Sequence, residues 1–111
     1  MDECIFCKIA KGEVPRDLVL ENEDFVVIRD VNPVVEGHML VISKRHFENF
    51  VQMDSGLDSG LLKSVREVVV QEGLENFNLV VNNGKVAGQI VEHFHLHILP
   101  RKEGDGFEMG V

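Results

Sequence analysis

Apolar positions along the chain fall into short runs set apart by polar, glycine- or proline-bearing breaks. Ile5 to Ala10 is a brief apolar stretch stopped by Lys11-Gly12, and predicts one or two helical turns. Asp17 to Glu21 and Phe25 to Asp30 read as strands joined through the polar turn Asn22-Glu23-Asp24, a hairpin. Val31-Asn32-Pro33 interrupts, because proline cannot donate to a ladder. Met39 to Ser43, bounded by Gly37 and Lys44-Arg45, is a third strand. Leu57, Leu61, Leu62, Val65, Val68 and Val69 recur at helical spacing, which predicts one long helix starting near Asp54 or Ser55 and stopping at Gly73. Leu79 to Val81 and His93 to Leu99 give a fourth and a fifth strand, with Asn83 to Gln89 as the loop between them. The order β-β-β-α-β-β predicts an α+β fold: an antiparallel sheet with one major helix laid on it.

Size and composition narrow the field. A chain of 111 residues with 44% apolar side chains suits one domain, residues 1–111, with a short polar tail from 102. A domain this small gains from pairing, so a two-fold homodimer is expected, with Val65, Val68, Val69 and Leu79 at either the interface or the core. The formal net charge of −8 argues against a nucleic-acid groove, which needs a clustered basic face. It leaves room for a small anion held by local donors. No apolar run is long enough to span a membrane, and Met1-Asp2-Glu3-Cys4 lacks the features of a signal peptide, so a cytoplasmic location is expected. The spacing Cys4-x-x-Cys7 suits a metal or redox pair better than a structural disulfide.

The chemistry concentrates in the fifth strand. Strand side chains alternate, so His93, His95 and His97 project from one face, roughly 6–7 Å from one to the next, while Phe94, Leu96 and Ile98 pack the other. An imidazole can be nucleophile, base, acid or metal ligand. On the strand alone, a catalytic face, a metal-binding strip and polar residues on an exposed face all remain open. The loop before it adds Gly84, Ala87 and Gly88, small enough for main-chain N–H groups to approach a phosphate, and Asn82 and Gln89 as neutral donors and acceptors.

Ala87-Gly88-Gln89-x-x-x-His93-Phe94-His95-Leu96-His97-Ile98-Leu99 resembles the signature of the histidine triad family, in its Hint-like part. Cys4-Ile5-Phe6-Cys7-Lys8-Ile9, Asp30-Val31-Asn32-Pro33, Gly37 to Ile42 and Lys44-Arg45-His46 are similar to other family segments, so the likeness runs from Cys4 to Arg101. It implies a five-stranded antiparallel sheet with one long and one short helix, and a homodimer that joins two sheets. The resemblance makes His95 the nucleophile that attacks the α-phosphorus and forms a nucleotidyl-histidine. It makes His97 and His38 flanking imidazoles, and Gln89 with nearby N–H groups the stabilisers of phosphoryl charge. Asp30 would hold ribose hydroxyls, and Ile5, Phe6, Ile9, Ile28 and Val31 would form the slot for the base, roles compatible with plain core packing. Asn82 and Gly88 join the expected nucleotide contacts. The chain departs from many eukaryotic members at Ile90, where they carry a serine, so a phosphoramidate preference does not transfer simply.

The same resemblance draws together Cys4, Cys7, His46 and His93. Two thiolates and two imidazoles make a closed tetrahedral zinc set, structural because no position is left for water. The implied activity is hydrolysis or transfer at the α-phosphate of a purine nucleotide derivative: a phosphoramidate, a dinucleoside polyphosphate or an adenylylated metabolite. Two other readings stand beside it: a nucleotide-binding regulatory module with little turnover, and a metal-sequestering histidine strip without nucleotide affinity.

Overall fold

In the computed structural model, which describes residues 4–110, the sheet is built around two strands that are apolar on both faces. β2 (Phe25–Arg29) and β3 (Met39–Ser43) are almost wholly buried, and they pair antiparallel with Val27 opposite Val41. β1 (Leu18–Glu21) closes a hairpin onto β2, in which Asn22 Oδ1 accepts the main-chain N–H groups of Asp24 and Phe25. β5 (His95–Pro100) pairs with β3, and β4 (Phe77–Val80) pairs with β5, so the order is β1-β2-β3-β5-β4 with every pairing antiparallel.

Two helices cover opposite faces, because alternate side chains of the central strands must each find apolar cover. Phe25, Val27, Met39, Val41, Phe94, Leu96 and Ile98 pack with Leu61, Val65 and Val68 of α2 (Asp58–Gln71). Val26, Ile28, Leu40 and Ile42 pack with Phe6 and Ile9 of α1 (Ile5–Ala10). α1 is only six residues long and covers only part of its face. The rest of that face carries His95 and His97, which sit opposite Ile42 and Leu40.

The helix ends follow local chemistry. A 3-10 turn at Ser55–Leu57 precedes α2, with the Asp54 carboxylate accepting the Gly56 N–H, which accounts for a start signal at Asp54 and a helix proper from Asp58. At the other end Gly73 takes φ +65°, and the N–H groups of Gly73 and Leu74 return to the carbonyls of Val70 and Val69. Val65 and Val68 belong to the core, Val69 packs against it half-buried, and Leu79 stands exposed on the edge strand β4.

The fifth strand departs from the sequence reading at its start. It begins at His95, and His93 lies in the turn before it, where the His93 N–H bonds the Val91 carbonyl. This turn directs the His93 ring toward the cysteines while leaving it on the α1 side of the sheet, against Phe6. β4 likewise begins earlier than expected, at Phe77, because the Leu99 and Pro100 end of β5 is long enough to pair with it.

Candidate active site and metal centre

A cavity of about 410 Å³ opens where α1 stops covering the sheet. Ile5, Phe6 and Ile9 of α1 and Ile28 of β2 form its apolar side, and Asp30 and Val31 lie just beyond β2. His95 and His97 of β5 and His38, immediately before β3, line the opposite side. All of these were expected at a nucleotide site, and the fold brings them together. Arg16, Asn32, Val34, Leu40 and Val91 line it too and were not expected as site residues, and Ile90, which stands where many eukaryotic members carry a serine, joins them. Leu40 was detectable as the β3 neighbour of His97, whereas Arg16 comes from a segment without any periodic signal.

Hydrogen bonds fix the tautomers of the three imidazoles. The buried His95 ring donates from Nδ1 to the His93 carbonyl at 2.7 Å, which leaves Nε2 as a bare lone pair. The ring is held edge-on between Phe6, at 4.9 Å between centroids, and His97, at 5.0 Å. Burial lowers its pKa, so the neutral form is favoured. His38 accepts the Val34 N–H at Nδ1, so its proton sits on Nε2 and is donated to His97 Nδ1 at 2.9 Å. His97 therefore carries its own proton on Nε2. Burial is the main cause that lowers the pKa of His38, and it holds His97 down to about 4 with help from the neighbouring imidazoles. Asp30 Oδ2 lies 3.3 Å from His38 Nε2, and Asp30 Oδ1 accepts the Asn32 N–H.

The glycine-bearing loop is arranged differently from the expected phosphate cradle. The Gln89 side chain is buried and fully used: Oε1 accepts the Gly84 N–H at 2.8 Å, and Nε2 donates to the carbonyls of Glu48 and Val91. The N–H groups of Ala87, Gly88 and Gln89 bond to carbonyls within the loop. Gly88, with φ +96°, backs onto Asn82, and neither lines the main cavity. Asn82 faces a second depression of about 280 Å³ that shares His38 and His97 with the first. Gln89 thus braces the loop that carries Ile90 and Val91 to the cavity wall, and Ile90 is fully exposed there.

Cys4, Cys7, His46 and His93 converge behind the cavity, their ligand atoms all within 4.8 Å of one another. His93, wholly buried, donates from Nε2 to the Ser43 carbonyl at 2.7 Å, so its Nδ1 lone pair faces the cysteines. Cys4 Sγ is 3.3 Å from that nitrogen, Cys7 Sγ is 3.5 Å from it and 3.2 Å from His46 Nδ1, and the two Nδ1 atoms are 3.2 Å apart. A tetrahedral zinc with bonds of ~2.3 Å to sulfur and ~2.0 Å to nitrogen has S···N edges of roughly 3.5 Å and N···N edges of roughly 3.3 Å. The four residues therefore fit such an ion with little adjustment. Their chemistry fits as well. Burial lowers the pKa of His93 to about 4 and keeps it neutral, and burial beside Cys4 pushes the Cys7 thiol up to about 11, so the Cys7 sulfur needs a cation beside it to ionise. Asp30, His38 and His97 also come within 4.8 Å of one another, but the proton shared by His38 and His97 occupies the space a metal would need.

The HIT domain profile matches residues 11–104. An uncharacterized HIT-like protein of Methanocaldococcus jannaschii is 46% identical over 106 residues, covering 93% of this chain and 82% of its own. The adenosine 5′-monophosphoramidase of Schizosaccharomyces pombe is 37% identical, over 97% of this chain and 80% of its own. Among solved structures, a zinc-bound histidine triad protein of Mycobacterium smegmatis superimposes with a TM-score of 0.86 at 32% identity, over 96% of this chain and 81% of that one. The two imidazoles that share a proton, the third with its bare nitrogen and the cysteine-histidine cluster behind them thus sit on a fold shared with the Mycobacterium smegmatis structure, and the chain belongs to the histidine triad (HIT) family.

Proposed function

We propose that the protein hydrolyses or transfers at the α-phosphate of purine nucleotide derivatives through a nucleotidyl-His95 intermediate. The observation that carries this is the 2.7 Å bond from His95 Nδ1 to the His93 carbonyl, which presents an unprotonated Nε2 on the wall of the cavity. In the first step the Nε2 lone pair forms a bond to phosphorus and the bond from phosphorus to the leaving group breaks. The leaving group keeps that electron pair and takes a proton from water. In the second step a water oxygen bonds to phosphorus, the P–N bond breaks, its electron pair returns to Nε2, and the water proton is released. His97 Nε2–H, oriented through His38, donates to the phosphoryl oxygens or to the leaving group. Asp30 accepts from the ribose hydroxyls, and Ile5, Phe6, Ile9, Ile28 and Val31 take the base. The phosphoramidase name of the yeast relative agrees with this chemistry.

The cysteine-histidine cluster holds one structural zinc per chain in this reading, supported by the donor geometry and by the zinc-bound relative. Two chains associate through the groove of Leu62, Val65, Val69, Val70, Phe77 and Leu79 beside the edge strand β4. Most of this apolar surface is exposed in the single chain, and pairing would cover it. Among the described residues no helix is long and apolar enough to cross a membrane. Release of nucleoside monophosphate from a fluorogenic nucleoside phosphoramidate tests the function. Turnover by the wild type, lost in His95→Ala, supports it, and a wild type that binds nucleotide without turnover contradicts it.

A further inference from the structure

Arg16 stands out among the residues that line the cavity, because among the described residues it is the one guanidinium or ammonium group there. It is half-buried in a chain whose formal charge is −8. Arg29, Arg45 and Arg101 each reach a carboxylate. Arg16 makes no ion pair among the described residues, and its one side-chain hydrogen bond runs from Nη1 to the neighbouring Pro15 carbonyl. Most of its planar donor fork is left for a ligand.

The strand register says which part of a ligand it meets. Leu18 pairs with Ile28, and the Arg29 N–H bonds the Asp17 carbonyl, so the chain before β1 continues beside β2 and brings Arg16 level with Asp30. In the order β1-β2-β3-β5, Arg16 lies at the opposite side of the cavity from His95 and His97, with Asp30 between them. Phosphorus at His95 and ribose at Asp30 place the outer edge of the base at Arg16. This step rests on the nucleotide reading given above.

Ile9 and Ile28 accept any flat base and cannot tell one purine from another. A guanidinium fork can. Guanine and hypoxanthine offer two adjacent acceptors, O6 and N7, whereas adenine sets an N6 amino donor beside N7, so one N–H of the fork would meet another donor. We propose that Arg16 is the base-selecting residue of the slot and that it favours 6-oxopurine nucleotides over adenine nucleotides. Its half-exposed setting puts the discrimination at the low end for such a pair, about fivefold.

Calorimetric titration of the intact protein with GMP, IMP and AMP tests this. The wild type is expected to bind GMP and IMP about fivefold more tightly than AMP. Arg16→Ala and Arg16→Met should bring the three within about twofold by weakening GMP and IMP alone. Both variants should melt like the wild type, since Arg16 bonds only its neighbour. An unchanged ratio in the variants, equal weakening of all three nucleotides, or IMP behaving like AMP would overturn the proposal. Failure of the wild type to bind any of the three would instead overturn the nucleotide reading of the cavity.

Discussion

The main-chain carbonyl of His93 accepts the Nδ1 proton of His95 at 2.7 Å, while the His93 ring presents its own Nδ1 to Cys4 Sγ at 3.3 Å. One residue therefore fixes the tautomer of the proposed nucleophile and belongs to the cysteine-histidine cluster. A metal there would steady the carbonyl without taking part in the chemistry.

The purified protein should accordingly contain about one zinc per chain by elemental analysis. Cys4→Ser should lose the metal and melt several degrees lower, because metal-binding free energy is also folding free energy. Turnover per folded molecule should survive with at most a roughly tenfold loss, reflecting a looser His93 carbonyl. A metal-free wild type with unchanged melting would contradict the assignment.

Gln89→Ala should act on stability before it acts on chemistry. Its amide satisfies the Gly84 N–H and two carbonyls from a buried position. Truncation takes this partner from the Gly84 N–H and the Glu48 carbonyl, while the Val91 carbonyl keeps the His93 N–H, and should cost about 1–3 kcal/mol in urea unfolding. Amide exchange should rise through residues 84–91. Unchanged stability with abolished turnover would show that Gln89 meets the phosphate instead.

The pH dependence follows from His97 and His38. His38 is buried and His97 half-buried, and both have their pKa lowered, His97 from the usual 6.5 to about 4. The unfolded chain binds these protons first as pH falls, so the stability present above about 6.5 is lost progressively toward pH 4. The fall in the urea midpoint over that window should be smaller in His97→Asn than in the wild type. An equal fall in both would contradict a neutral His97 in the folded protein.

The apolar groove beside β4 gives a check on assembly. Leu79 is 45% exposed at the sheet edge, so Leu79→Asp should not disturb the core. Light scattering should give twice the chain mass of 12.5 kDa for the wild type and about that single mass for the variant. A monomeric wild type at micromolar concentration would contradict the proposed dimer.

Much of this molecule is legible in the chain, for identifiable reasons. The alternation of His95 and His97 with Leu96 and Ile98 fixes which face carries imidazole, and the helical spacing from Leu61 to Val68 fixes what covers the other. Asp30 and His38 reach the cavity because they flank the Asp30–Gly37 break between two apolar strands, and their hydrogen-bonding groups cannot be buried without partners. Less legible were features set by tertiary hydrogen bonds. The Ser43 carbonyl orients His93, and nothing in the spacing of two residues 50 apart announces it. Gln89 is a donor in any sequence reading, and only the fold shows that Glu48 and Val91 take its protons. Arg16 sits in an aperiodic segment, and only the β1–β2 register brings it beside Asp30.

The central claim is that His95 Nε2 bonds to phosphorus, and intact-mass measurement after rapid quenching with a nucleoside phosphoramidate tests it most directly. The wild type should show an added nucleotidyl mass that disappears as the monophosphate is released. His95→Ala should show no adduct and a loss of turnover of several orders of magnitude, yet bind nucleoside monophosphate nearly as well, since Asp30 and the apolar wall remain. His97→Ala should form the adduct more slowly. An active His95→Ala enzyme, or an adduct on any other residue, would contradict the account.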